Sequence, residues 1–233
     1  MSSAIIEDAV RFLRSLPTAS ADVLCTDPPY SSGGFNESQR RGGSSSSMTM
    51  PWLQGDAMGT LAMSHLLREV ALEARRVVKP GGHALVFSDW KMVPVFGPVI
   101  ESASWRWRSQ IVWDKLSHGK GNGFMPTHEM ILHFSDPSAT FVANVPNVVH
   151  CKRVPHAERD HPTQKPTDLL VAILRPVLAP GGVVVDPFAG AGTIVEAAGR
   201  MGAVAWCCDA DPSHLPAMAR RVARESLQGG LEL

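Results

Sequence analysis

The residues Asp27-Pro28-Pro29-Tyr30 combine a carboxylate, a backbone carbonyl whose direction two proline rings fix, and an aromatic face. Such a set suits work on an amino group attached to an aromatic ring. That nitrogen is a poor nucleophile, because its lone pair is delocalised into the ring. Two acceptors on its two hydrogens would draw it towards tetrahedral geometry and release the lone pair. The Asp27 carboxylate and the Pro28 carbonyl are the candidate acceptors, and Tyr30 the surface on which an extruded base would stack. A rigid proline turn with an incidental aspartate is the plainer alternative, and four residues alone do not decide between the two.

A second group is Asp186-Pro187-Phe188-Ala189-Gly190-Ala191-Gly192-Thr193. Small residues between a strand end and a helix start let backbone approach a ligand closely, and the amides of the helix start favour a carboxylate or phosphate. Asp209 stands sixteen residues beyond Thr193, at the end of the following apolar run, where an acid can reach ribose hydroxyls. Together they point to a nucleoside cofactor. A third string, His161-Pro162-Thr163-Gln164-Lys165-Pro166, reads by itself as a loop before a proline-started helix.

These residues need elements to hold them. Ala21 to Thr26 reads as a short strand that the prolines end. Gly59 to Val78 reads as an amphipathic helix stopped by Lys79-Pro80-Gly81-Gly82, and His83 to Phe87 as a buried strand. Trp107 to Trp113 and Met130 to Phe134 form a strand pair joined by 117–127. Thr167 to Leu178 is helical, Val183 to Val185 is a strand buried on both faces, and Thr193 to Met201 a helix. A strand from Ala203 to Cys208 and a helix from Pro212 to Leu227 close the chain. Strand, glycine turn, helix and strand is half of a doubly wound sheet, so the fold class is α/β.

At 233 residues and 44% hydrophobic content, the chain suits one globular domain with a substantial core. No apolar run reaches a membrane span, and the N-terminus lacks the marks of a secretory signal, so a cytoplasmic protein without a membrane partner is expected. The four cysteines, Cys25, Cys151, Cys207 and Cys208, lack CxxC spacing, so neither a metal site nor a disulfide framework is expected. The formal net charge is zero, yet residues 1–101, 102–166 and 167–233 carry −1, +3 and −2. A local basic cleft or a solvated basic face would each account for the middle segment.

In identity and order the three strings resemble the permuted, β-group DNA amino-methyltransferases, which act on adenine N6 or cytosine N4. The resemblance runs from Glu7-Asp8-Ala9 to Arg221 and includes Lys79 to Gly82, Ile111 to Lys115 and Thr127-His128-Glu129. It implies a Rossmann-like, mostly parallel, circularly permuted sheet with an antiparallel strand pair and a short target-recognition insertion. It implies a catalytic half over 1–135, a recognition segment over 136–160 and a cofactor half over 161–233. Asp27, Pro28, Pro29 and Tyr30 would be catalytic. Asp186, Phe188, Gly190, Gly192 and Thr193 would line S-adenosylmethionine, with Asp209 on its ribose and Lys165 near its carboxylate. Asp8 and Ala9 take the place where the family often meets the cofactor adenine, although Asp8 suits a helix N-cap equally well. His128 and Glu129 would orient the pocket.

Double-stranded DNA is the implied partner, with Arg40, Arg41, Lys115, Lys120, Lys152, Arg153 and Arg159 as candidate contacts. The recognition segment is short for the family. A very short target site, a second reader in the Ser/Gly-rich stretch 31–55 or a homodimer would each compensate. That stretch, with Ser44 to Ser47 hinge-like, is expected to be mobile, and its place right after the tetrapeptide favours a lid over flipped DNA above a disordered linker. The leading aspartate of the tetrapeptide leans towards adenine over the cytosine amino group. Cytosine-5 chemistry lacks its Pro-Cys pair, and related RNA and protein-glutamine enzymes generally place the glycine turn first. A catalytically silent DNA-binding protein on the same scaffold stays open, because fold alone does not license function.

Overall fold

A computed structural model describes residues 1–29, 59–119, 123–155 and 164–229. Among these described residues eight strands form one sheet: β1 (Ser3–Ile6), β2 (Ala21–Thr26), β3 (Val78–Ser88), β4 (Arg106–Asp114), β5 (His128–Ser135), β6 (Val148–His150), β7 (Val183–Asp186) and β8 (Val204–Asp209). The helices are α1 (Ala9–Ser15), α2 (Thr60–Val77), α3 (Val93–Glu101), α4 (Thr167–Leu174), α5 (Thr193–Arg200) and α6 (Leu215–Gly229), the last preceded by a 3-10 turn at Pro212–His214. Among the described residues no helix is long and apolar enough to cross a membrane.

The strand order is β1-β8-β7-β2-β3-β5-β4-β6. From β1 to β3 all neighbours run parallel, while β5 is antiparallel to both β3 and β4, and β6 lies parallel to β4. The chain leaves β2 towards β3 and leaves β7 towards β8, in opposite directions, so the switch point lies between β2 and β7. In open α/β sheets the crevice beyond the carboxyl ends at such a point is where ligands bind.

Alternation of side chains explains the apolar strand sequences. Leu24, Ala84, Val86 and Val185 face a core shared with α1, α2 and α3. Val23, Cys25, Leu85, Phe87 and Val184 face the other core, shared with α4, α5 and α6. Helices therefore cover both faces, and strands buried on both sides must be apolar at nearly every position.

Three elements have no counterpart among the expected ones: β1, α3 and β6. β1 is a four-residue edge strand paired with β8. α3 carries Pro94 in its first turn, where no amide is required, and Pro98 inside. β6 places the middle of the 136–160 segment on the sheet edge beside β4. The expected strand start at His83 also moves back to Val78, with an irregularity against β2 between Ala21 and Val23. Gly82 allows it, since a Cβ there would lie 2.5 Å from the Asp22 carbonyl oxygen.

Candidate active site

Because β1, β8, β7, β2 and β3 are parallel, their carboxyl ends share one edge, and there the chain sets Asp8, Asp209, Asp186 and Asp27. The antiparallel β5 brings its opening residues His128 and Glu129 to the same edge, and β4 delivers Asp114 and Lys115. Ions and hydrogen bonds sort these acids into different roles.

At the switch point, the Thr26 hydroxyl donates to Asp186 Oδ1 at 2.8 Å across 160 residues of sequence. The same oxygen accepts the Phe188 amide at 3.0 Å, so one carboxyl joins β2 to the glycine turn. Burial pushes Asp186 up to about 7, with the two hydrogen bonds opposing and the charges of Asp27 and Asp209 adding to the rise.

Gly190 and Gly192 adopt φ of 50° and 76°, the region that favours glycine. A Cβ on Gly192 would also come within 3.0 Å of Met218 Cγ, so α6 packing demands a glycine there as much as ligand approach does. Gly192 is the N-cap of α5 without a side-chain cap, which leaves the helix start available to an anion. Arg221 donates to the Ala191 carbonyl at 2.6 Å and braces the turn from α6.

Asp209 accepts the Gly190 amide at 2.8 Å and the Asp211 amide at 2.9 Å, and faces His214 Nδ1 at 2.9 Å. Burial works against its charge, but His214 and the two amides outweigh burial and lower its pKa. The bond to Asp209 in turn raises His214. An ionised acid at the end of β8, beside the glycine turn, has the chemistry a ribose site requires. The uncapped helix start has the chemistry for a carboxylate, so these residues fit the cofactor that the sequence suggested.

Asp8 is the N-cap of α1 and accepts the Val10 and Arg11 amides at 3.0 and 3.1 Å. It also lies close to Asp209, since Ile6 pairs with Asp209 and the Glu7 amide donates to the Asp209 carbonyl. Ala9 turns into the core, 4% exposed.

Asp27 meets a chain of alternating charges. Lys165 Nζ lies 2.5 Å from Asp27 Oδ2 and 3.3 Å from Glu129 Oε2, and Lys115 Nζ lies 2.6 Å from Glu129 Oε1. Burial opposes charge on Lys165, but the carboxylates of Asp27 and Glu129 outweigh it and raise its pKa. Burial likewise opposes charge on Glu129 and is outweighed by Lys165 and Lys115, which lower it. The expectation that Glu129 orients the pocket thus acquires specific partners.

Lys115, a candidate DNA contact, is 6% exposed and its ammonium is paired with Glu129. The basic middle of the sequence also disperses in space. Trp105 is a core residue whose indole donates to the Ala71 carbonyl, and Arg106 opens β4 at the end opposite the site. Lys152 and Arg153 are exposed just beyond β6, on the site edge. Tyr30, Arg40, Arg41, Lys120, Arg159, Ser44 to Ser47 and His161 to Thr163 lie outside the described residues. Thr26, His214 and Arg221 support the site without having been singled out, since nothing in their local sequence announces a partner so distant along the chain.

An open sheet with a glycine turn at its switch point and an Asp-Pro-Pro turn on the neighbouring strand is the scaffold of Rossmann-like methyltransferases. The chain matches the N6/N4 DNA methylase family over residues 21–220, and it belongs to that family. It is 26% identical over 219 residues to the type II methyltransferase M.HpaI of Haemophilus parainfluenzae, an alignment covering 82% of this chain and 64% of the length of that enzyme. The crystal structure of the M1.HpyAVI complex with S-adenosylmethionine superposes with a TM-score of 0.71 at 18% identity, covering 95% of this chain and 99% of the other. The cytosine-N4-specific PvuII DNA methyltransferase gives 0.72 at 17% identity, covering 94% and 86%.

The raised Asp186 has a consequence for stability. The folded chain keeps this carboxyl protonated up to about pH 7, whereas an unfolded aspartate ionises near about pH 4. Its stabilising contribution is therefore complete below the unfolded value and is lost as pH rises through the folded one, at about 1.4 kcal/mol per pH unit. In Asp186→Asn that loss is absent. Urea unfolding from about pH 5 to about pH 7 should show the variant gaining on the wild type as pH rises. A constant difference would contradict protonated Asp186.

Proposed function

We propose that this chain is an S-adenosylmethionine-dependent DNA methyltransferase that modifies the exocyclic amino nitrogen of a flipped adenine. The observation that carries the reading is the joining of the Asp27 strand to the glycine-turn strand through Thr26 and Asp186. That bond holds the Asp27 turn beside the glycine turn on one sheet edge, which supports an amino-group binder next to a nucleoside site. The cofactor, when bound, supplies an electrophilic methyl group. Asp209, the amides at the α5 start and Phe188 would hold it, with Asp8 close by.

The Asp27 carboxylate and the Pro28 carbonyl accept the two amino hydrogens of the target base and localise its lone pair on nitrogen. Tyr30 stacks against the base. Asp27 would accept, along its hydrogen bond, the proton that the amino nitrogen sheds on gaining the methyl group, whose bond to the cofactor sulfur would break to leave a neutral thioether. Residues 136–160 serve as the short recognition segment, with β6 anchoring them to the sheet and Lys152 and Arg153 reaching backbone phosphates. Exposed lysine and arginine on the site edge suit that role, because phosphate contacts position DNA without reading sequence.

The reading is tested by incubating the protein with tritiated S-adenosylmethionine and DNA, then digesting the DNA to nucleosides. Label in N6-methyladenine is the expected result. Label in N4-methylcytosine would reassign the base, and binding of cofactor and DNA without transfer would make the chain a silent scaffold. Asp27→Ala should abolish transfer while cofactor affinity, measured by calorimetry, stays near wild type; full activity would remove Asp27 from the mechanism. Asp209→Ala should weaken cofactor binding by about 1–3 kcal/mol, the range for a charge-assisted hydrogen-bond site. An unaltered dissociation constant would place the ribose elsewhere. Replacing both Lys152 and Arg153 with alanine should flatten the salt dependence of DNA affinity by about two phosphate contacts, whereas an unchanged slope would move the phosphate track.

A further inference from the structure

Lys165 has a place that its position in the HPTQKP string does not disclose. Its side chain is 10% exposed. The ammonium lies against Asp27 Oδ2, against Glu129 Oε2 and 5.0 Å from the centre of the Phe87 ring. Asp27 follows β2, Phe87 belongs to β3, Glu129 to β5, and Lys165 to the segment leading into α4. Four separate parts of the chain thus converge on one amino group. Behind them, Lys115 engages the second oxygen of Glu129 and lies 5.4 Å from the Trp113 ring centre.

The two acids and two lysines of this array balance in charge, and each ion touches one of opposite sign. A buried ammonium needs such partners, and one that left Asp27 for another anion would strand a carboxylate in a partly desolvated site. The α5 start offers an alternative place for a cofactor carboxylate, in the uncapped amides beyond Gly192. An ionised carboxylate has about four acceptor sites, so an ion pair with Lys165 is compatible with Asp27 also accepting hydrogen bonds.

Resting on the reading of this site as an amino-methyltransferase centre, we infer that Lys165 is a positioning residue for Asp27, fixing the carboxylate that grips the target amino group. Glu129 places Lys165, and Lys115 neutralises Glu129. Among the described residues, charged groups near Asp27 include Lys165 directly, Glu129 behind it, and Asp186 across the switch point, whose raised pKa reflects the Asp27 charge in part.

Lys165→Met, Lys165→Arg and Glu129→Gln separate this role from cofactor binding. For Lys165→Met, calorimetry should return an S-adenosylmethionine dissociation constant within about threefold of wild type, while single-turnover methyl transfer at saturating cofactor and DNA falls at least about tenfold. Lys165→Arg should recover part of the rate, because a guanidinium can reach both carboxylates. Glu129→Gln, which keeps side-chain shape, should lower the rate in the same direction with cofactor affinity retained. It carries the test should Lys165→Met fail to fold. The Asp27 carboxyl 13C resonance, assigned by its loss in Asp27→Asn, should move in Lys165→Met and Glu129→Gln without any cofactor present.

A drop of about tenfold or more in cofactor affinity with wild-type turnover at saturation would overturn the inference and assign Lys165 to the cofactor. An unmoved Asp27 resonance would overturn it too. Should the wild-type protein transfer no methyl group to DNA, the methyltransferase reading fails. The calorimetry and the 13C resonance then still decide whether Lys165 serves Asp27 or the cofactor.

Discussion

The parallel pairing of β2 with β7 is the constraint on which the site depends. It places two strands from distant parts of the chain side by side at the point where the connections diverge. The Thr26 hydroxyl and the Asp186 carboxyl then tie their ends together. A carboxyl whose pKa burial raises to about 7 suits this position better than one ionised at every working pH would. It accepts two hydrogen bonds without adding a full negative charge to an edge already carrying Asp27 and Asp209. The acids on that edge are thereby differentiated by their surroundings. Asp186 joins β2 to the glycine turn, Asp209 is steadied by amides and His214, and Asp27 is matched to a buried lysine.

Much of the scaffold was legible because its central strands are buried on both faces. Burial forces continuous apolar runs such as Val183 to Val185, and proline and glycine mark their ends at Pro28 and Gly190. The peripheral pieces were not legible for the same reason in reverse. β1 and β6 lie at the two edges of the sheet, are short and half exposed, and carry little apolar signal. α3 reads as broken by its prolines, yet Trp107 packs tightly enough against Gly97 that a Cβ there would lie 2.2 Å from the indole ring.

The site divided in a similar way. Asp27, Asp186, Gly190, Gly192 and Asp209 could be located from local strings, because each string ends a strand whose direction was itself readable. Pairings between strings could not. Lys115 and Lys165 both appeared as cations available to ligands, and the fold spends both on carboxylates. A count of charges along the sequence cannot distinguish a lysine facing solvent from one facing Glu129, since that depends on which strand lies antiparallel to which.

The interleaved strand order also bears on how the protein comes into being. In this sheet β1 is separated from β2 by β8 and β7, which are made after the sheet's other strands. A ribosome that has released residues up to about 135 has therefore produced β2, β3, β5 and β4 with the inner edge of β2 uncovered and β1 without its neighbour. Open strand edges and pairings between remote segments are the features that slow folding and invite association between chains. The segment carrying β7 and β8 acts as a wedge that enters between two earlier pieces, and the eight strands become a single sheet only once β8 has been synthesised.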